Sequence, residues 1–308
     1  MKTQFLRIAT RESPLALWQA NHVGEKLKNY WPSINIELVP MATTGDKFLK
    51  DKLLTIGGKG LFVKELEEAL LANRADIAVH SMKDVPAAFP EGLMLAAICE
   101  RHHPGDAFIS NHFEKLKDLP KGSIIGTSSL RRQSQLLAER PDLEIKALRG
   151  NINTRLDKLH SGDYDAIVLA VSGLERMGFQ HVIAEVLNEE IMLPACGQGA
   201  LGIECRSNDK EIQQLLAPLN DPVSALCVHT ERQVNALLGG NCHVPLAVYA
   251  KIEENVQLRL QARVLSADGK KMINDIQRGA LTNHMAMAEL CANKLLANGA
   301  DELLATAL

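Results

Sequence analysis

The chain lacks an excess of positive charge. Its 308 residues include 34 Lys and Arg against 37 Asp and Glu, which gives a formal net charge of −3. Proteins that bind nucleic-acid phosphates without sequence preference carry a net basic face and usually a basic pI. We therefore expect no nucleic-acid partner, and any anion site has to be built from a few local residues.

Long apolar runs are also missing. No segment approaches the roughly 20 apolar residues that a membrane-spanning helix needs. The apolar stretch near the N-terminus is shorter than the ~7–15-residue core of a secretory signal. The sequence therefore predicts a cytoplasmic protein that does not associate with membranes.

Cysteines are few and scattered. None of the six belongs to a Cys-x-x-Cys pair, so neither a zinc site nor a disulfide framework is indicated, and we expect reduced thiols. Cys205 and Cys291 lie in apolar periodic runs and are expected to be buried. Cys242 lies in a glycine-rich turn, which indicates an exposed thiol. A nucleophilic pair with His243 is disfavoured, because adjacent residues of an extended strand point to opposite faces.

Short apolar runs alternate with longer helical patterns through about residue 205. This alternation is typical of a largely parallel α/β sheet, and its strands are too many for one small sheet. Strands are predicted over residues 5–10, 34–39, 76–80, 93–98, 107–110, 123–126, 144–148, 165–170 and 200–205. Helices are predicted over residues 14–29, 61–72, 130–139, 152–160, 210–216 and 223–238.

The pattern changes after residue 255. Strict alternation over residues 256–260, a turn at Asp268-Gly269 and a second strand near 272–277 predict an antiparallel hairpin or meander. An amphipathic stretch over residues 284–297 predicts a final helix. The C-terminal part is therefore expected to form a small α+β domain.

Lys83 and Asp84 directly follow a predicted strand, in the sequence His-Ser-Met-Lys-Asp-Val-Pro at residues 80–86. Ligands of open α/β sheets bind at the carboxyl ends of the strands. The alternative is that these two side chains belong to a solvated turn. The strand position favours a functional role.

A second motif, Gly-Thr-Ser-Ser-Leu-Arg-Arg at residues 126–132, follows another strand and begins a helix. Its hydroxyls and the unpaired N–H groups of the helix N-terminus converge on one point. Arg131 and Arg132 add forked donors that suit carboxylate or phosphate. The alternative is a capped helix whose arginines face solvent.

Basic residues recur at three more corners between strand and helix. They are Arg11, ahead of the predicted N-cap Ser13, the pair Arg149 and Arg155, and Arg176. In a nearly neutral protein these corners favour a small polyanionic ligand. One class that fits is a two-lobed binding or sensor protein for an anionic metabolite, which would need neither Asp84 nor a loop thiol.

Residues 46–60 combine dense charge with three glycines. Such a segment is either a mobile lid over a site or an exposed loop. It includes Lys59.

Four motifs together resemble the hydroxymethylbilane synthase (porphobilinogen deaminase) family. They are the motifs at 80–86 and 126–132, Arg-Gly-Asn-x-x-Thr-Arg at 149–155, and Glu231-Arg232 ahead of Gly-x-Cys-x-Val-Pro at 240–245. They follow the family's order across nearly the whole chain. Asn241 departs from the small residue that the family usually has before the cysteine. Since asparagine tolerates left-handed backbone, we expect activity to be retained.

The resemblance implies two α/β lobes like those of periplasmic binding proteins, and a small C-terminal α+β domain. The first lobe would comprise residues 1–99 and 200–217, the second residues 100–199, and the domain with the cofactor cysteine residues 218–308. A monomer is implied as well.

The resemblance also implies an activity. The family's enzymes are transferases that join four porphobilinogen molecules head to tail, release ammonia and yield linear hydroxymethylbilane for tetrapyrrole (heme) biosynthesis. The primer is a dipyrromethane cofactor, which here would be bound to Cys242 through a thioether. A thiolate suits this role, because it adds readily to an electrophilic methylene group.

Residue roles follow by matching the motifs. Asp84 matches the catalytic aspartate, whose carboxylate accepts pyrrole N–H bonds, stabilises the cation left when ammonia departs and moves a proton. Besides Cys242 and Asp84, the implied cofactor-binding residues are Ser81, Lys83, Thr127, Ser128, Ser129, Arg131, Arg132, Arg149 and Arg155. The implied substrate-binding residues are Arg11, Ser13, Lys59, Arg149, Arg155, Arg176 and Gln198.

Overall fold

The computed structural model describes residues 5–47, 60, 62–240 and 244–306. The chain divides into two compact units, Met1–Arg101 with Ala200–Ala225, and His102–Gly199 with Leu226–Leu308. The first unit therefore contains two separate stretches of the chain.

Thirteen strands and ten helices are found in the described part of the chain. The strands are β1 (Phe5–Arg11), β2 (Asn35–Met41), β3 (Ile77–Ser81), β4 (Leu93–Ile98), β5 (Asp106–Ile109), β6 (Ile124–Gly126), β7 (Glu144–Lys146), β8 (Ala166–Ala170), β9 (Glu185–Leu187), β10 (Leu201–Arg206), β11 (Leu246–Ile252), β12 (Gln257–Leu265) and β13 (Met272–Ala280). The helices are α1 (Pro14–Tyr30), α2 (Thr44–Lys47), α3 (Lys64–Leu71), α4 (Leu130–Glu139), α5 (Ile152–His160), α6 (Val171–Arg176), α7 (Lys210–Leu216), α8 (Pro222–Leu237), α9 (His284–Ala297) and α10 (Ala300–Ala305).

The first unit is built on a five-stranded sheet in the order β2-β1-β3-β10-β4. β1 pairs in parallel with β2 and β3, whereas β10 is antiparallel to both β3 and β4. The expected parallel arrangement therefore holds for only part of the sheet. A crossover helix makes the two strands that it connects parallel. β10 comes from the second stretch of the chain, so its direction is not set by such a connection.

Helices cover both faces of this sheet. β1 alternates, so that Leu6 and Ile8 pack in the same core as Val23 of α1, while Ala9 packs with Leu66 of α3 on the opposite face. Because both faces are covered, the strand ends are the places where polar side chains can gather.

The second unit contains the other two sheets. One has the order β7-β6-β8-β5-β9, with β6 parallel to β7 and β8, and β5 antiparallel to β8 and β9. The other is the antiparallel meander β11-β12-β13, whose core includes residues of α9 and α10. The α/β fold class with a small C-terminal α+β part is confirmed.

Local start signals fix where two of the predicted helices begin. Ser13 and Ser129 accept hydrogen bonds from the backbone of Ala16 and Arg132, and so cap α1 and α4. Helix α4 has the predicted bounds. Among the described helices, none is long and apolar enough to cross a membrane.

Two cysteines expected to be buried are buried. Cys205 and Cys291 have no exposed surface. Burial raises the pKa of the Cys205 thiol to about 11 and also raises that of Cys291. Both thiols are therefore protonated and unreactive at neutral pH.

Candidate functional site

Asp84 lies on an anchored turn in the first unit. β3 continues directly into the 3₁₀ turn Met82–Asp84. The buried Met82 donates its backbone N–H to the carbonyl of Ala200 at 3.1 Å, and Val85 N–H donates to the carbonyl of Met82 at 3.2 Å. Asp84 itself is exposed and Lys83 is half-buried. The turn thus presents the Asp84 carboxylate from a fixed backbone.

A small cavity of about 30 Å³ adjoins this turn. Arg11, Ser81 and Asp84, three of the residues predicted from the sequence, line it together with His80 and Phe62. The Arg11 guanidinium lies over the Phe62 ring, 4.3 Å from its centroid. This cation–π contact orients the guanidinium beside Ser81 and Asp84.

Sequence reasoning missed Gln19, which also lines this cavity. Its amide Nε2 donates to Ser81 Oγ at 2.8 Å, and the residue is 3% exposed. A glutamine on the apolar stripe of α1, next to the buried Ala16 and Ala20, was the available signal.

Another predicted substrate residue does not line this cavity. Ser13 is at the start of α1, where its hydroxyl accepts the N–H of Ala16 at 3.3 Å. Lys59 lies outside the described residues, as do the other residues of 48–59 in the segment 46–60.

A buried hydrogen bond joins the strand that leads into this turn to β10. His80 Nε2 and Glu204 Oε2 are 2.8 Å apart, and both side chains are almost fully buried. Glu204 Oε1 has no hydrogen-bond partner among the described residues. Burial and the negative charge of Glu204 raise the pKa of nearby Glu67 to about 7.

Glu67→Gln is expected to make the protein more stable at alkaline pH. Between the pKa values of about 4.5 unfolded and about 7 folded, the folded state keeps a proton that the unfolded state releases. Wild type therefore loses stability as pH rises through that window. The advantage of the variant should grow from near zero at pH 4.5 to about 1 kcal/mol above pH 7, after discounting for partial exposure.

Urea unfolding at pH 5 and pH 8 measures this difference. Glu68→Gln is the control, because Glu68 is exposed on the same helix and, within the described part of the chain, its carboxylate pairs with Lys64 alone, at 3.8 Å. Equal pH dependence in wild type and Glu67→Gln would contradict the assignment.

The hydroxyls at residues 127–129 in the second unit shape the corner between β6 and α4. Ser128 Oγ donates to the Leu148 carbonyl at 3.0 Å, and Thr127 Oγ1 accepts the Ser129 N–H at 3.2 Å. Ser129 caps α4. In these contacts Thr127 and Ser129 only accept, so their O–H groups can also donate to an anionic ligand, whereas the O–H of Ser128 is already used.

Arg131 and Arg132 are buried, 5% and 7% exposed, which rules out the alternative that they face solvent. Arg131 Nη1 donates to Asp106 Oδ2 at 2.8 Å and to the carbonyl of Leu193 at 2.7 Å. Arg132 Nε donates to Asp106 Oδ1 at 2.9 Å. Sequence reasoning missed Asp106, a lone carboxylate at the start of an apolar strand.

Arg149 and Arg155 flank the start of α5, and both are half-buried. Arg155 Nε donates to the Gly150 carbonyl at 2.7 Å, and Asn151 caps the helix by accepting the Thr154 N–H at 2.9 Å. The backbone of Gly150, with φ of 117°, lets the chain turn between the two arginines.

Arg176 contacts the loop before β10, and Gln198 belongs to that loop. Arg176 Nη2 donates to the Gly199 carbonyl at 2.7 Å, and Gln198 Nε2 donates to the Pro104 carbonyl at 2.6 Å. Both side chains are buried, 6% and 1% exposed. The buried Glu231 accepts the Gly197 N–H at 2.6 Å, which fixes the loop to α8.

Gly199→Ala is expected to destabilise the protein by at least about 2 kcal/mol. Gly199 has φ of 90°, and a methyl group there would lie 2.5 Å from the His102 carbonyl oxygen. Gly178→Ala is the matched control, since Gly178 has φ of 75° but no atom lies within 4 Å of the place that a methyl group would occupy. It should cost only about 1 kcal/mol. Equal losses in urea unfolding would contradict the predicted clash.

Cys242, the predicted cofactor anchor, lies outside the described residues together with Asn241 and His243. The chain on either side is described. Helix α8 ends at Leu237, and the buried Val244 leads into β11.

Two protein families match the sequence. Residues 6–214 match "Porphobilinogen deaminase, dipyromethane cofactor binding domain", and residues 225–297 match "Porphobilinogen deaminase, C-terminal domain". Among curated relatives, porphobilinogen deaminases of Legionella pneumophila strains Philadelphia 1 and Paris are each 62% identical over 306 residues, with 99% of each chain covered.

Solved structures that match part of the chain are more distant in sequence. A lipoprotein from Bacillus subtilis is 14% identical, with a TM-score of 0.44, over 70% of this chain and 90% of its own. The BvgS VFT2 domain of Bordetella pertussis is 14% identical, with a TM-score of 0.42, over 69% and 85%.

Proposed function

The chain belongs to the porphobilinogen deaminase family, and from this premise we propose that Asp84 carries its chemistry and that Cys242 anchors its cofactor. The protein is accordingly a transferase of tetrapyrrole (heme) biosynthesis with a dipyrromethane cofactor. Its reaction joins four porphobilinogen molecules head to tail, with loss of ammonia, into linear hydroxymethylbilane.

One observation carries the proposal for Asp84. Its carboxylate is exposed on a turn anchored through the backbone, and it lines the same cavity as Arg11 and Ser81. A cation, a hydroxyl and a carboxylate side by side match a substrate that carries both acidic arms and a cationic amine.

The described residues fit the cofactor by their donor chemistry. Each pyrrole unit brings an acetate and a propionate arm, so the group needs several cationic or hydroxyl donors. The corner at residues 126–132 offers the forked guanidinium of Arg131, the O–H groups of Thr127 and Ser129, whose oxygens only accept in the contacts above, and the N-terminus of α4. When bound, the cofactor supplies the nucleophilic pyrrole α-carbon to which the first substrate is joined.

Asp84 acts on the incoming substrate. Its carboxylate oxygens accept the pyrrole N–H, which orients the ring. As ammonia leaves, the same negative charge stabilises the positive charge that develops on the ring, and one oxygen takes and returns a proton. Arg11, held over Phe62, binds a carboxylate arm of the substrate.

The other binding residues are divided between the cofactor and the substrate. We propose that the cofactor is held by Ser81, Lys83, Thr127, Ser128, Ser129, Arg131, Arg132, Arg149 and Arg155. We propose that substrate is bound by Arg11, Ser13, Lys59, Arg149, Arg155, Arg176 and Gln198. Arginine forks are suited to carboxylates, of which a growing pyrrole chain accumulates many.

We also propose three domains, residues 1–99 with 200–217, residues 100–199, and residues 218–308, in a protein that works as a cytoplasmic monomer. The three separate sheets support this division. Porphobilinogen is its small-molecule substrate.

Incubation of the purified protein with porphobilinogen tests the function. Ammonia release and hydroxymethylbilane formation are followed together, and four ammonia molecules are expected per product molecule. Intact-mass measurement before incubation should find the chain heavier by two pyrrole units. Binding of porphobilinogen without turnover, by a chain of unmodified mass, would instead identify a binding or sensor protein.

A further inference from the structure

Asp106 joins two arginines from one helix. It is the first residue of β5 and is fully buried. Its Oδ2 accepts Arg131 Nη1 at 2.8 Å, and its Oδ1 accepts Arg132 Nε at 2.9 Å and lies 2.7 Å from Arg132 Nη2. Both oxygens of one carboxylate are thus used to hold two neighbouring guanidinium groups.

Backbone carbonyl groups also accept hydrogen bonds from the same two arginines. Arg131 Nη1 also donates to Leu193 O at 2.7 Å, and Arg132 Nη1 donates to Val168 O at 3.0 Å. With a carboxylate and a carbonyl on each guanidinium, both planar groups have a single orientation. Few rotamers are left to lose when a ligand binds.

One edge of Arg131 is not used in these contacts. Within the described part of the chain, its Nε and Nη2 take no part in any hydrogen bond or ion pair, since Nη1 alone donates. The Nε–Nη2 edge is the one that binds a carboxylate through two parallel hydrogen bonds. Asp106 therefore holds Arg131 with its bidentate edge available.

We propose that Asp106 is a positioning residue for the cofactor: it holds Arg131, with Arg132 beside it, so that the Arg131 Nε–Nη2 edge binds a carboxylate arm of the dipyrromethane. This inference rests on the proposed function. It adds a residue that touches neither cofactor nor substrate and acts through Arg131.

An electrostatic role and a positioning role of Asp106 predict opposite effects of Asp106→Asn on the binding of anionic groups. Asp106, Arg131 and Arg132 together carry one formal positive charge, and Asp106→Asn raises that to two. If Asp106 only weakened the attraction for anions, the variant would bind anionic arms more tightly. If Asp106 positions Arg131, the variant binds them more weakly, because the guanidinium is no longer fixed.

Asp106→Glu separates the two roles further. It keeps the charge but moves the carboxylate by one methylene group, so a purely electrostatic role predicts no change. A positioning role predicts the same defect as Asp106→Asn. This variant also keeps a counter-charge for the two buried arginines, so it decides the question if Asp106→Asn fails to fold.

Asp76→Asn is the matched control. Asp76 is also a carboxylate held by two arginines, with Arg7 Nη2 at 2.8 Å and Arg206 Nη2 at 3.5 Å, but it belongs to no proposed site. It should lower the thermal midpoint, as the Asp106 variants do, and leave cofactor content and KM unchanged.

The experiment compares the four proteins as purified. Intact mass gives the fraction of chains that carry the two-pyrrole adduct, and kinetics on the loaded fraction give KM and kcat for porphobilinogen. We expect both Asp106 variants to lose at least about tenfold in adduct fraction or to raise KM by at least about tenfold, a factor that corresponds to one lost charged hydrogen bond.

The variant Arg131→Gln tests whether Asp106 acts through Arg131. If Asp106 acts through Arg131, Asp106→Glu combined with Arg131→Gln should have the same adduct fraction as Arg131→Gln alone. Normal adduct fraction and KM in Asp106→Glu, or a lower KM in Asp106→Asn, would overturn the inference. A wild-type protein with neither adduct nor turnover would overturn the proposed function instead.

Discussion

Replacing Asp84 with alanine is expected to lower kcat by at least about 10³-fold while the protein stays folded. General acid–base catalysis by one positioned group contributes about 10²–10⁴-fold, and stabilisation of a developing charge adds to it. The carboxylate is exposed, and backbone hydrogen bonds of Met82 and Val85 hold its turn. The change in stability should therefore stay within about 0.5 kcal/mol.

Ammonia release at saturating porphobilinogen measures the loss, and circular dichroism checks the fold. Asp84→Asn keeps the size of the side chain but not its charge, and should be almost as inactive. Glu91→Ala is the control, since Glu91 is another exposed carboxylate of the same unit outside the proposed site. Wild-type rates in Asp84→Ala would refute the role given to Asp84.

Elements with strong local signals were predicted to within a few residues. Helices α4, α5, α7 and α9 have the predicted bounds. In α4, α5 and α7 a side chain at the start accepts a backbone N–H, which fixes the first turn. These signals lie within a few residues of each other along the chain, and so they can be read from sequence alone.

The missed strands lack such signals. β11 has five consecutive buried residues, so it does not alternate between apolar and polar positions, and it was not predicted. β9 has only three residues, too few to establish a period. Both strands exist because neighbouring strands pair with them, β12 with β11 and β5 with β9.

At the candidate site, too, the sequence shows only what local patterns encode. The strand-end positions of Asp84, Arg131 and Arg149 follow from the alternation of strand and helix, a local pattern. The partner of Arg131 does not, because Asp106 is 25 residues away along the chain. Gln19 and Ser81, 62 residues apart, meet for the same reason, through the packing of α1 on β3. Sequence patterns therefore place the candidate side chains at strand ends, and the structure adds which residues hold them.

Replacing Cys242 with serine is expected to yield protein without the two-pyrrole adduct and without turnover. A thiolate adds to an electrophilic methylene group and leaves a thioether that resists hydrolysis, whereas a serine hydroxyl is a much weaker nucleophile at neutral pH. Intact-mass measurement of the purified variant gives the result before any substrate is added.

Cys196→Ser is the matched control for this variant. Cys196 is half-buried in the same unit, so the substitution exposes the protein to the same chemical change away from the proposed anchor. Its mass should include the adduct. A normal adduct in Cys242→Ser would remove Cys242 from the anchoring role, while its loss in both variants would mean that folding, and not the anchoring sulfur, limits cofactor attachment. Because the proposed anchor would react once, whereas the role proposed for Asp84 recurs in every round, a defect in adduct mass tests Cys242 without depending on the catalytic rate.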